Sequence, residues 1–319
     1  MMRFWLVLTF ALTACQSGSG SGSIRLTWHP VDSVNVDLPP GVRVFAGHSS
    51  IPPVRAWAVR INEPAPQLFT RVRLSRDAED GRETLTSFAT GDDVCVAVNG
   101  GYFAMDRTPS VPAGLLLVEN ELVAPATRAV ERDAQRYEAA RAAIGFTDED
   151  EIEITWATTR GDTLLAWPDP PAHAPGTPAA VDSALARRWN VRDAVGAGPM
   201  LVVDGAVRVT TDEEIFFGSA IPRTHPRTAV GRTADGDLIL LVVDGRQPAS
   251  RGVDLVELAT IMRDLGAERA LNLDGGGSSA LVVRGRLLNR PLGDSTQREV
   301  VSALVTYCPG HARGDRETP

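Results

Sequence analysis

Lysine is absent from the chain: all 32 basic residues are arginine. That excludes Schiff-base and pyridoxal-phosphate chemistry, the lysine of phosphate-binding loops and the kinase lysine. Histidine and cysteine are scarce, at 5 and 3 residues, with no paired-histidine motif and no zinc-type cysteine spacing, so a transition-metal centre lacks a ligand set. Net positive charge is missing too. The formal charge of −8 argues against general affinity for a nucleic-acid backbone, and no nucleic acid is expected as a partner. What is present is ordinary for a folded protein. Apolar residues at 43% and charged residues at 23% exclude wholesale disorder, and 319 residues suffice for one large domain or two ordinary ones.

The N-terminus reads as an address. Arg3 precedes the apolar run Phe4 to Leu12, too short to span a bilayer, and Leu12-Thr13-Ala14-Cys15 has the form of a bacterial lipobox. Residues 1–14 are therefore expected to be a signal peptide, Cys15 the lipidated residue, and 15–23 a Gly/Ser tether to the membrane. Gln16 after the cysteine suits an outer-membrane lipoprotein of the cell envelope, facing periplasm or cell surface. A secretory signal with a chance cysteine is the alternative. Cys95 and Cys308 lie in apolar strand-like runs, and two buried thiols are as compatible with the sequence as one bridge.

Alternation predicts strands at Ala56–Ile61, Leu68–Leu74, Val94–Val98 and Leu238–Val243, with hairpins around Glu119-Asn120-Glu121 and Asp204-Gly205. Val253–Leu265 has helical periodicity, ended by Gly266. Glu131–Ile144, rich in Ala, Arg and Glu, reads as an exposed helix, and Val181–Trp189 as a short one. Residues 131–178 stand apart as a possible insertion, and 309–319 as a polar tail. The fold class expected over residues 24–308 is α+β: a mixed, mostly antiparallel twisted sheet packed against a few helices in a single catalytic domain.

The chemistry concentrates in two segments. In Asn272-Leu273-Asp274-Gly275-Gly276-Gly277-Ser278-Ser279, three glycines after a strand suit a backbone nest for an anion, with serine hydroxyls adding donors. Asp274 opposes a phosphate there unless it is protonated, paired with Arg, bound to metal or aimed at another atom of the substrate. In His225-Pro226-Arg227-Thr228, Arg227 offers a bidentate fork and His225 a proton carrier. Asn99-Gly100-Gly101 ends a buried strand and suits sugar hydroxyls; Asp244-Gly245-Arg246 follows another, and Glu257 lies in the amphipathic helix.

These motifs, with Gly101-Tyr102-Phe103, Pro112-Ala113-Gly114-Leu115 and Gly198-Pro199-Met200, occur in the order seen in the phosphodiester glycosidase family, which residues 50–308 resemble. Position 102 is Tyr where Phe is commoner. The resemblance implies hydrolysis of the bond between a sugar's anomeric carbon and a phosphodiester, with a carbohydrate phosphodiester as substrate. Arg227, His225, Thr228, Arg246, Asn99, Gly100, Gly101 and Gly275 to Ser279 are then expected to bind substrate and phosphate. Asp274, Glu257 and Asp244 are the expected catalytic carboxylates, their individual roles open. No cofactor is required, although a hard divalent cation, calcium or magnesium, is compatible. Two other readings remain: an envelope lipoprotein that binds polysaccharide without catalysis, and a metal-dependent phosphodiesterase with Asp244 and Asp274 as ligands.

Overall fold

In a computed structural model the structure describes residues 24–62, 67–91 and 93–310; the expected signal peptide, lipidated Cys15 and tether lie outside the described residues, as do residues 311–319 of the expected polar tail. Three antiparallel sheets carry the fold. Sheet I has eight strands, in the spatial order Thr27–Pro30, Val42–Ser50, Pro53–Ile61, Leu238–Val243, Arg227–Thr233, Ala267–Asn272, Met200–Val203 and Ala206–Val207. Sheet II has seven strands and includes Arg141–Phe146, Ile152–Arg160 and Asp193–Gly196, and sheet III has five, with Val94–Asn99 between Leu281–Val283 and Ser302–Tyr307. Every strand pairing among the described residues is antiparallel, so the expected mixed sheet gives way to sheets of one kind.

One core joins them. Val59 and Leu240 of sheet I, Ile144 and Trp156 of sheet II, and Val96 and Leu304 of sheet III share a cluster of buried side chains. The helix Leu255–Asp264 covers the other face of sheet I, burying Leu258, Ala259 and Met262 against residues such as Ala229 and Leu241. Burial of such apolar area is the main favourable term in folding.

Two expected helices are absent. Across Glu131–Ile144 the chain forms a hairpin, Ala129–Arg132 with Gln135–Glu138, and then the strand Arg141–Phe146. Its composition favours helix, but Asp133 and Ala134 take φ of 50° and 60°, the left-handed pair of a two-residue hairpin turn. Residues 131–178 supply strands of sheet II. Val181–Trp189 contains only the 3-10 turn Ser183–Leu185 and the short strand Arg187–Arg188. Cys95 and Cys308 form a disulfide with Cα atoms 5.8 Å apart, resolving the two alternatives left by the sequence.

Candidate active site

The site gathers where strands of sheets I and III end. Asn99 closes Val94–Asn99, Arg227 opens Arg227–Thr233, and Asn272 closes Ala267–Asn272 and leads into Asp274. The Asp274 N–H donates to the Gly100 carbonyl at 3.1 Å, and its own carbonyl accepts from Asn99 Nδ2 at 2.7 Å. The carboxylate accepts from the Gly275 N–H at 2.9 Å and from the Ser278 hydroxyl. Burial nonetheless pushes its pKa up to about 6, against the lowering influence of those two hydrogen bonds and the Arg298 charge.

Asn99 and Thr228 have no exposed surface. Thr228 Oγ1 donates to Asn99 Oδ1 at 2.7 Å, which also accepts from the Ala280 N–H at 3.2 Å. These two side chains are internal struts of the Asp274 loop rather than the expected sugar contacts. Gly100 and Gly101 serve packing in the same way: a Cβ at Gly100 would lie 3.0 Å from the Ser302 backbone, and one at Gly101 2.5 Å from the Gly196 carbonyl oxygen. A second brace uses the unusual Tyr102. Its hydroxyl donates to the Gly198 carbonyl at 2.8 Å and accepts from Asn272 Nδ2 at 2.8 Å, contacts unavailable to Phe.

Of the nest expected from Gly275, Gly276, Gly277, Ser278 and Ser279, four N–H groups are used within the protein. The Gly276 N–H donates to the Pro226 carbonyl at 2.9 Å, Ser278 N–H to Gly275 and Ser279 N–H to Gly276, while Gly275 N–H is taken by Asp274. The Ser279 hydroxyl is buried and unpartnered. Arginines surround the turn instead. Arg227, 2% exposed, donates from Nε to the Val253 carbonyl at 3.1 Å and from Nη2 to the carbonyls of Ile221, at 2.7 Å, and Arg223. Its fork is thus largely committed to the backbone, and burial lowers its pKa to about 10.

His225 is an orienting group. Arg246 Nη2 donates to His225 Nδ1 at 3.2 Å, so the imidazole proton sits on Nε2 and donates to the Ala220 carbonyl at 2.9 Å. Partial burial lowers the His225 pKa, helped by Arg227, Arg246 and Arg223 and opposed by the Ala220 hydrogen bond. A neutral ring already bonded at both nitrogens replaces the expected proton carrier.

Of the other two expected catalytic carboxylates, Glu257 is engaged in a helix cap and Asp244 is buried. Glu257 is the N3 residue of a capping box: it accepts the Asp254 N–H at 3.0 Å while Asp254 accepts from Val256 and Glu257, and it pairs with Arg251. The sequence carries that signal, because Asp254-Leu255-Val256-Glu257 has the Asp-x-x-Glu spacing of a capping box at the start of an apolar helix. Asp244, 1% exposed, accepts through Oδ1 from Asn289 Nδ2 at 3.1 Å and the Arg290 N–H at 3.0 Å, while its Oδ2 is buried without a hydrogen-bond partner. Burial raises its pKa.

Sequence reasoning missed Glu214 and Arg298. Glu214, fully buried, accepts hydrogen bonds from Ala142 N–H, Trp156 Nε1, Met200 N–H and Thr210 Oγ1 at 2.6–2.9 Å, and so ties sheet II to sheet I behind the site. Arg298 reaches the glycine turn from the segment before Ser302–Tyr307, its Nη1 3.5 Å from Ser278 Oγ. No local pattern marks either residue. Among the described residues no group of three or more His, Cys, Asp or Glu is arranged to hold a metal ion.

Fold and site together define a protein of antiparallel sheets in which one half-buried carboxylate faces a glycine turn ringed by arginines. The chain belongs to the phosphodiester glycosidase family, which it matches over residues 92–307. It is 31% identical over 129 residues to the SPbeta prophage-derived uncharacterized protein YomE of Bacillus subtilis (strain 168), covering 40% of this chain and 19% of that protein. It is 41% identical over 81 residues to mouse N-acetylglucosamine-1-phosphodiester alpha-N-acetylglucosaminidase, covering 25% of this chain and 16% of the relative. The match thus spans less than a fifth of either relative. The zebrafish catalytic domain of that name, auto-inhibited by its pro-peptide, superposes with a TM-score of 0.57 at 20% identity, covering 89% of this chain and 88% of that one. A hypothetical protein from Synechocystis gives 0.58 at 19% identity, covering 90% and 68%. At such identities these two likenesses concern the fold.

Proposed function

We propose that the protein is a glycosidase that hydrolyses the bond between a sugar's anomeric carbon and a phosphodiester. The observation that carries this reading is Asp274: a carboxylate with its pKa near 6, fixed at a strand end beside guanidinium groups that have no carboxylate partner. Its pKa suits a base working near neutral pH. A phosphomonoester is a competent leaving group and needs no general acid, so one carboxylate suffices. Asp274 takes a proton from water, the water oxygen bonds to the anomeric carbon, and the carbon–oxygen bond breaks with its electrons leaving on the phosphate. Attack by water in a single displacement inverts the anomeric centre.

The lipobox at Cys15 extends the proposal to an enzyme tethered to the bacterial cell envelope and acting on glycans there. Palmitate labelling of the wild type that is lost in Cys15→Ser supports the tether; labelling that persists removes it. For the activity, the test is product analysis on a panel of sugar phosphodiesters. Free sugar of inverted configuration plus phosphomonoester is expected. Sugar 1-phosphate plus alcohol would show cleavage on the other side of phosphorus and overturn the reading.

A further inference from the structure

The turn Gly276-Gly277 has a guanidinium on each side. A Cβ added at Gly276 would lie 3.3 Å from Arg246 Nη2, and one at Gly277 2.7 Å from Arg298 Nη2 and 2.8 Å from Leu292 Cδ2. The absence of side chains there lets two cationic groups approach one short stretch of backbone. Like charges brought together in this way repel unless an anion joins them.

Both arginines are held by their own segments. Gln297 Nε2 donates to Thr86 Oγ1 at 2.6 Å and the Thr86 N–H donates back to Gln297 Oε1 at 3.2 Å. Val300 exchanges backbone hydrogen bonds with Glu83 at 2.9 and 3.1 Å. Arg298 projects from between these two anchors. Arg246, at φ 59°, donates its N–H to the Arg251 carbonyl at 3.3 Å, and His225 Nδ1 orients its guanidinium. Among the described residues neither arginine forms an ion pair with a carboxylate. Arg227, by contrast, spends its Nε and Nη2 on carbonyls, whereas Arg246 and Arg298 each use one Nη group in the contacts to His225 and Ser278 and keep further donors for a ligand; the Asp274 carboxylate feels the Arg298 charge without forming an ion pair with it.

We propose that Arg246 and Arg298 form a clamp over Gly276-Gly277 that binds the phosphate of the substrate and retains the phosphomonoester product more tightly than it binds the phosphodiester. The identity of the ligand rests on the glycosidase reading. The physical basis is charge: a diester phosphate carries one negative charge, whereas a monoester near neutral pH carries about 1.5 to 2. Two guanidinium groups complement the larger charge better, and each charge-assisted contact is among the stronger hydrogen bonds. Arg246 and Arg298 together therefore determine phosphate affinity, and accumulated phosphomonoester competes with substrate for the site.

The test is calorimetric titration of the intact protein with methyl phosphate and with dimethyl phosphate, beside inhibition of turnover by each. Methyl phosphate is expected to bind at least several-fold more tightly than dimethyl phosphate and to compete with substrate. Arg298→Ala and Arg246→Ala should each weaken methyl phosphate at least tenfold with little change in melting temperature. Arg298→Lys keeps the charge and serves if the alanine variant fails to fold; it should fall between wild type and alanine. Equal affinity for the two esters overturns product retention, and wild-type affinity in a folded Arg298→Ala protein overturns the clamp. The binding measurement needs no turnover. Phosphate binding lost in the variants of a protein that cleaves no sugar phosphodiester upholds the clamp while overturning the glycosidase reading.

Discussion

Asn99 Nδ2 donates to the backbone carbonyl of Asp274 at 2.7 Å across 175 residues of sequence. The amide side chain of one sheet thus fixes the backbone of the residue proposed as the catalytic base. Its other end accepts from Thr228 and Ala280, so one buried group holds three segments in register.

Asn99→Ala should leave these partners buried and unpaired, at about 1–3 kcal/mol for each. Stability and turnover are both expected to fall, the latter more than about tenfold because small displacements of reacting groups are costly. Asn99→Asp retains the acceptor but not the donor to Asp274 and should lie between wild type and Asn99→Ala. Denaturant melts and steady-state kinetics check this, and a wild-type melt for Asn99→Ala removes the strut.

For Asp274→Asn a loss of turnover of at least about a hundredfold is expected, the scale of a positioned base. In the wild type, kcat should rise through about pH 6 and then level as the carboxylate forms. Stability runs the other way. With the folded pKa raised from 3.8 to about 6, the unfolded chain gives up its proton first, so stability is lost as pH rises from near 4 to near 6, by up to about 3 kcal/mol. Asp274→Asn should escape that loss and melt higher than wild type at neutral pH. Parallel pH series of kcat and melting temperature provide the check.

Glu257→Ala should behave in the opposite manner. Losing the capping box and the Arg251 pair costs about 1 kcal/mol, while kcat stays close to wild type. A large loss of kcat in a well-folded Glu257→Ala protein would restore a catalytic role to this residue.

Reduction of the Cys95–Cys308 bridge, or the Cys95→Ala and Cys308→Ala pair, should destabilise the protein by about 2–5 kcal/mol. Thermal melts with and without reductant measure it. Unchanged melting would mean that packing alone holds the ends of these strands.

Much of the sheet was legible because alternation in segments such as Ala56–Ile61 is a local property. The Glu131–Ile144 hairpin was not, since its left-handed Asp133 and Ala134 carry neither Gly nor Asn to announce the turn. The site divided along the same line. Asp274 and its glycines are contiguous and stood out, whereas Arg298 reaches the turn only through the anchoring of Gln297 and Val300 elsewhere. Asn99 and Thr228 stood out for a different reason from the one inferred: they hold the loop rather than a ligand.

The central position of Val94–Asn99 in sheet III has a bearing on synthesis. One of its neighbours is Ser302–Tyr307 and the other Leu281–Val283, both far later in the sequence. While the ribosome still holds those segments, the strand has no partner on either side, and Asp274 has no completed platform. Such long-range pairing is slow to form and exposes strand edges in the meantime. The strand therefore stays unpaired until residues 281–307 have emerged, a state suited to chaperone capture and vulnerable to proteolysis.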